Sequence, residues 1–266
     1  VRDGISGKMK LTVQGIVSLI ALACIYKMPD TMTTKMLLPF YRDPMCLKPA
    51  GETIQFWLPP QLLDHPLFSF AANWGLVAIG LIFIFNMLYV MFFSNAVNLT
   101  DGKDGLAAGT TVFCVLSLAS VAYMHGHAVF AKYLSIPYIP ELGEISVFAS
   151  AMAGACIGFL WYNCKPASVF MGDTGSLPLG GCIGLIAVLM GQQLLLLVVG
   201  FVFLMEGGSV MLQVASLRLT GKRIFKCTPI HHHFEQLGWT ETQIVNRFWI
   251  IAGICAMIGL ATLKMR

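Results

Sequence analysis

Seven stretches of this chain are apolar over lengths that matter to a bilayer: residues 11–26, 72–93, 106–123, 146–162, 177–190, 194–216 and 248–263. A hydrocarbon core about 30 Å thick takes about 20 helical residues to cross, and lipid offers no partner to an open backbone group. None of the runs shows the alternation of a half-buried strand. They predict an all-α fold, a polytopic integral membrane helix bundle in one transmembrane domain. Charged residues are only 11% of the chain, against about 25% in soluble domains, too few to cover a water-facing surface. The first and last runs are short, so Lys10, Lys27, Arg247 and Lys264 are expected to snorkel toward the headgroups. The fifth is short and rich in glycine, and residues 191–193 read as a tight turn into the sixth. Ala151, Gly154 and Gly158 have the spacing of a close helix–helix contact.

Seven crossings put the termini on opposite faces. One face receives the N-terminal segment and the loops 95–105, 163–176 and 217–246, which with Arg247 at the edge carry 10 of the 17 Lys and Arg. That bias favours the basic face as cytoplasmic. Positions 104 and 226 fall on it; Glu52 and Glu141 fall on the other. The net charge of +4 is small and dispersed, so no nucleic-acid partner is expected. Eight cysteines show no CxxC pair and no framework spacing, which predicts neither structural disulfide nor zinc.

Three polar stretches interrupt the apolar pattern: residues 95–105 (NAVNLTDGKDG), 170–176 (FMGDTGS) and 229–235 (PIHHHFE). The crossing count brings all three to the basic face. In the first, Asn95, Asn98, Asp101 and Asp104 recur every three residues and share a face if the helix continues; the Asp-Gly steps alone read as turn chemistry. In the second, Asp173 between Gly172 and Gly175 suits a divalent cation holding a pyrophosphate, or a helix cap. Phe170 beside it is lipid-facing packing or a stacking platform. In the third, neighbouring histidines on a helix point about 100° apart, so one metal cannot take all three. Phosphate contact or proton handling fits His231, His232 and His233 better. Glu206 lies within the sixth run and is functional or paired inside the bundle.

The order and spacing of NAVNLTDGKDGLA, FLWYN, VFMGDTGS, the LQV around Gln213 and PIHHHFE resemble the phospho-MurNAc-pentapeptide translocase (MraY) family of the polyprenyl-phosphate N-acetylhexosamine-1-phosphate transferase superfamily. The resemblance spans essentially the whole chain. It implies a bacterial inner-membrane enzyme whose active site faces the cytoplasm. Such an enzyme transfers phospho-MurNAc-pentapeptide from UDP-MurNAc-pentapeptide to undecaprenyl phosphate, giving lipid I and UMP in peptidoglycan synthesis, with Mg²⁺. By motif position it implies Asp173 as the metal ligand, with Asn95 a weaker metal-side candidate. Asn98, Asp101, Gly102 and Asp104 line the nucleoside side, Phe170 stacks on uracil, and Asn163, Gln213, His232 and His233 face the cleft. Asp173, Asp101, His232 and His233 are the implied catalytic group. Direct attack and a covalent aspartyl intermediate both stay open, as does a homodimer.

The family has ten helices, and these seven runs match its last seven. Its DDxxK motif lies upstream of a segment resembling residues 1–14 and is not found here, so a preceding part with three helices is expected, without which this chain would be inactive. Lys103 also stands where the family has an apolar residue. A sister transferase of GlcNAc-1-phosphate shares the aspartates, and the histidine triplet argues against it. An ion-coupled transporter would want polar groups at the midplane of several helices.

Overall fold

The computed structural model describes residues 7–26, 35–36, 45–46 and 75–265. Among these the helices are α1 Gly7–Tyr26, α2 Gly75–Thr100, α3 Leu106–Gly126, α4 Ala128–Leu134, α5 Leu142–Asn163, α6 Gly172–Leu189, α7 Gln193–Val199, α8 Phe201–Thr220, α9 Ile230–Glu235 and α10 Glu241–Thr262. A two-residue antiparallel bridge, Lys35–Met36 with Met45–Cys46, is the strand content of the described residues. Seven helices are long and apolar enough to cross a membrane, matching the seven runs. The chain is a multi-pass, all-α membrane protein. Glu52 and the start of the second run lie outside the described residues.

Helix α3 is the most enclosed, packed by α5 on one side and α10 on another, while α2 is packed by α1, α6 and α8. Helices α2 and α6 meet backbone against backbone. A Cβ on Gly180 would fall 2.3 Å from the Phe93 carbonyl oxygen, and one on Gly184 3.0 Å from Val90 Cα. Glycines four apart let two backbones touch, as membrane helices require when burial against lipid supplies no drive. The spacing singled out in sequence does not do this. Ala151, Gly154 and Gly158 lie on an exposed face of α5, whose buried residues are instead Ala149, Ala153 and Cys156.

Away from the basic face, residues 191–193 make the expected turn. Tyr89 donates its hydroxyl to the Gln193 carbonyl at 2.6 Å, and the Gln192 amide meets His125 Nε2 at 3.0 Å. The sixth run is not one helix. It is interrupted at Gly200, where a Cβ would stand 2.7 Å from the Leu196 carbonyl oxygen and 3.2 Å from the Phe93 ring. Two basic anchors have aromatic partners: Arg247 lies 3.9 Å over the Trp239 ring and Lys264 3.6 Å over Tyr133.

Topology has a direct check. In a background without reactive thiols, an impermeant maleimide added to intact cells should label Glu141→Cys and spare Asp104→Cys and Lys226→Cys until the cells are opened. External labelling at 104 would overturn the arrangement.

Candidate functional site

Asp173 lies in the first turn of α6, yet that helix has no side-chain cap at its N-terminus. Its carboxylate turns toward other helices. Oδ1 accepts from Asn98 Nδ2 of α2 at 2.6 Å, and Oδ2 is ion-paired with Lys10 of α1. Asn98 also donates to Ser176 Oγ at 2.8 Å, and Ser176 donates to the Gly172 carbonyl at 2.9 Å. Helix α2 runs to Thr100, so Asn95 and Asn98 are helical, while Asp101 and Asp104 fall in the turn beyond it. Burial pushes the Asp101 carboxyl up to about 6, a Gly172 backbone hydrogen bond opposes this, and the Asp173 charge adds to it. Two carboxylates that repel are a place a divalent cation would settle.

The donors there are hard oxygens. Among the described residues no three His, Cys, Asp or Glu side chains gather around a point. Asp173 and Asp101 are the one or two carboxylates that Mg²⁺, which keeps several waters and shares substrate phosphate, would take.

On the other side of the turn, Asn163 at the end of α5 is buried. It accepts from the Gly105 N–H at 3.0 Å and donates to the Val169 carbonyl at 2.8 Å. Gly105 has φ 77°, a left-handed conformation natural to glycine, and opens α3. Asp104 Oδ2 accepts from the Ala167 N–H at 3.1 Å. Lys165 is ion-paired with Glu241, the first residue of α10. Asp104, Lys165, Glu241, Asn246 and Trp249 line a pocket of ≈ 180 Å³. The Phe170 side chain is open, at 75% exposure.

The three histidines part ways on the short α9. His231 is buried and its Nδ1 meets Glu206 Oε2 at 2.9 Å. His232 Nδ1 meets Glu235 Oε2 at 3.0 Å, and Glu235 Oε1 takes a second bond from Lys103 at 2.8 Å. Lys103 and then His232 hold the Glu235 carboxyl down at about 2. His233 Nδ1 accepts from the Lys226 N–H at 3.2 Å. Gln213 Oε1 accepts from the N–H groups of Ile224 and Phe225 at 3.1 and 3.0 Å, so its side chain holds the loop before the histidines.

The arrangement thus joins Asp173, Asn98 and Asp101 in one cluster and Asp104 with Asn163 in a second. Asn95 sits apart, donating to Gln14 Oε1 at 2.8 Å and to the Met91 carbonyl at 2.7 Å. Lys10, treated in sequence as a membrane anchor, is the counter-ion of Asp173. Ser176, Lys165 and Glu241 also join the two clusters unforeseen. The FMGDTGS spacing offered a signal for Ser176, three residues after Asp173; for the lysines there was none. Glu206 is paired inside the bundle with His231, and its neighbour Gly207 packs on Ala96, one turn from the end of α2.

Below Asp173 opens a groove of ≈ 690 Å³ between α1, α2 and α6. It is apolar along Val13, Val17, Leu177 and Leu185, with Lys10 and Asp173 also in its lining.

The whole sequence has relatives among known proteins. It is 43% identical over 265 residues to a phospho-N-acetylmuramoyl-pentapeptide-transferase of Methylacidiphilum infernorum (isolate V4), covering 99% of this chain and 64% of that protein. It is 42% identical over 266 residues to one of the same name from Rhodopseudomonas palustris (strain BisB18), covering 100% of this chain and 65% of that protein. The chain therefore spans about 64–65% of the length of these curated relatives. A family model described as Glycosyl transferase family 4 matches residues 2–191, which contain α1 to α6 and both carboxylate clusters. By that match the chain belongs to glycosyl transferase family 4.

Proposed function

We propose that this chain is the catalytic portion of a phospho-N-acetylmuramoyl-pentapeptide transferase of the bacterial inner membrane, working at the cytoplasmic face. Its substrates are UDP-MurNAc-pentapeptide and undecaprenyl phosphate, and its products are lipid I and UMP. The observation that carries this reading is the Lys10–Asp173–Asn98 cluster bordering an apolar groove. A lipid phosphate needs a cation at the membrane surface and a greasy channel for its tail, and this cluster offers both. The two relatives, similar across nearly the whole chain, bear that activity in their names.

The reaction is phosphoryl transfer, in which the protein chiefly positions and neutralises. An oxygen of the lipid phosphate attacks the sugar-linked phosphorus. The bond from that phosphorus to the bridging oxygen breaks, and its electron pair leaves with UMP. The lipid phosphate is already ionised, so no base has to take a proton. Lys10 holds that phosphate beside the groove. Asn98 fixes the Asp173 carboxylate, and Asp101 stands next to it. Asp104 and Asn163 shape the nucleoside pocket, Phe170 offers its open ring to the base, and His232 and His233 flank the pyrophosphate of the bound UDP-linked substrate. Asp173 and Asp101 would hold Mg²⁺, which when bound would supply charge neutralisation at the pyrophosphate.

The test is UMP release in detergent by a protein carrying this chain. Release should require undecaprenyl phosphate and be abolished by EDTA and restored by Mg²⁺. Turnover that persists after complete chelation would sink the metal assignment. Release with UDP-GlcNAc in preference to UDP-MurNAc-pentapeptide would sink the substrate assignment.

A further inference from the structure

One of the three histidines has no part in the reaction proposed above. His231 is 1% exposed, and its Nδ1 lies 2.9 Å from Glu206 Oε2, which is wholly buried. One hydrogen bond joins this imidazole nitrogen to the carboxyl group. The second nitrogen, Nε2, and the second oxygen, Glu206 Oε1, have no hydrogen-bond partner among the described residues. Nε2 faces the main chain of the turn after α2, where a Cβ on Gly102 would lie 2.6 Å from it. On its other side the ring centroid is 4.2 Å from that of His232. One imidazole therefore touches α8, the carboxylate turn and the next histidine at once.

We propose that Glu206 and His231 form a positioning pair that sets the spacing between the carboxylate turn and His232, so that one nucleotide diphosphate can meet both. The inference rests on the transferase reading. Helix α9 has six residues, too few to hold itself by its own hydrogen bonds. His232 and its partner Glu235 are solvent-exposed, and such pairs fix little. Ile230 and Phe234 pack this helix against α10, and the buried contact to Glu206 is its polar tie to α8, the one that fixes the histidine face. Glycine at 102 then follows from the fit: a side chain there would drive the ring away from the turn.

The test uses the purified chain in detergent, uridine 5′-monophosphate as calorimetric probe, and amide hydrogen exchange over residues 230–236 as a second reading. Asn can offer a donor where Nδ1 stood, whereas Gln reaches toward Nε2. His231→Asn should keep UMP affinity within about threefold, while His231→Gln weakens it by about tenfold or more, the size of a lost hydrogen bond to a charged group. Exchange should quicken in the Gln variant and not in the Asn variant. Gly102→Ala should weaken binding similarly, and His231→Asn in that background should recover it by removing the ring. If Gln is tolerated and Asn is not, Nε2 acts on the ligand directly and the proposal fails. It fails also if both are tolerated and Gly102→Ala is harmless. Absence of UMP binding by the unaltered chain would count against the transferase reading alone, because the exchange measurement still decides the pair.

Discussion

Asp173→Asn should lower turnover at least ~100-fold, equivalent to about 2.7 kcal/mol of transition-state stabilisation. The substitution keeps the shape of the side chain and an oxygen for Asn98, but removes the charge that pairs with Lys10 and would bind a cation. Nucleoside binding should survive far better, because Asp104, Asn163, Lys165 and Glu241 are held by separate elements and bond to one another. UMP release and nucleotide titration on the same preparation check this. Near-normal turnover at saturating Mg²⁺ would mean that Asp173 serves only the local structure.

The second large effect is expected at a helix–helix contact. Gly180→Ala should destabilise the bundle by about 3 kcal/mol, the upper end for overpacking, because the atoms in the way are the backbone of Phe93 and Ser94 and cannot rotate aside. The same change should also cut activity. Ser94 is one turn from Asn98 and Gly180 two turns from Asp173, so parting α2 from α6 stretches the Asn98–Asp173 contact. Misplacement by about 1 Å can cost ~100-fold. Gly158→Ala, which meets open space, is the control and should change neither melting nor turnover. Unaltered melting in Gly180→Ala would show that the two helices are not in contact as described.

How far the sequence foretold this arrangement depends on what kind of force fixed each part. The crossings were legible because hydropathy alone decides them. The convergence of NLTDGKDG, FMGDTGS and PIHHHFE was legible because an odd or even number of crossings settles a face. The helix starts were less so: α6 opens at Gly172 and α10 at Glu241, both upstream of the apolar runs, since polar first turns carry no hydropathy signal. For α10 the signal lay in TETQ, a capping box in which Thr240 and Gln243 exchange side-chain-to-backbone bonds. Pairings across the chain were not legible. Lys10 with Asp173, Lys165 with Glu241 and His231 with Glu206 depend on how helices sit beside one another, and no periodicity encodes that. The glycines misled for a related reason. Gly154 and Gly158 have a packing spacing but face outward, while Gly180 and Gly184 share that spacing and face α2.

The interruption at Gly200 has a further consequence, in terms of hydrophobic mismatch. Read as one rod, residues 193–220 would be about 42 Å long, roughly 12 Å more than the hydrocarbon slab. Gly207 packs on Ala96 near the end of α2, so the residues that follow it in α8 run toward the basic face. There Met211, Leu212 and Leu219 are exposed beside Arg218, Lys222 and Arg223, the composition of a helix lying at the headgroup boundary. The end of α8 thus combines apolar and basic side chains, as suits the headgroup boundary of a crossing helix. Gln213 in that second half carries the backbone of Ile224 and Phe225, so the histidine-bearing loop takes its level from the membrane surface as well as from the bundle.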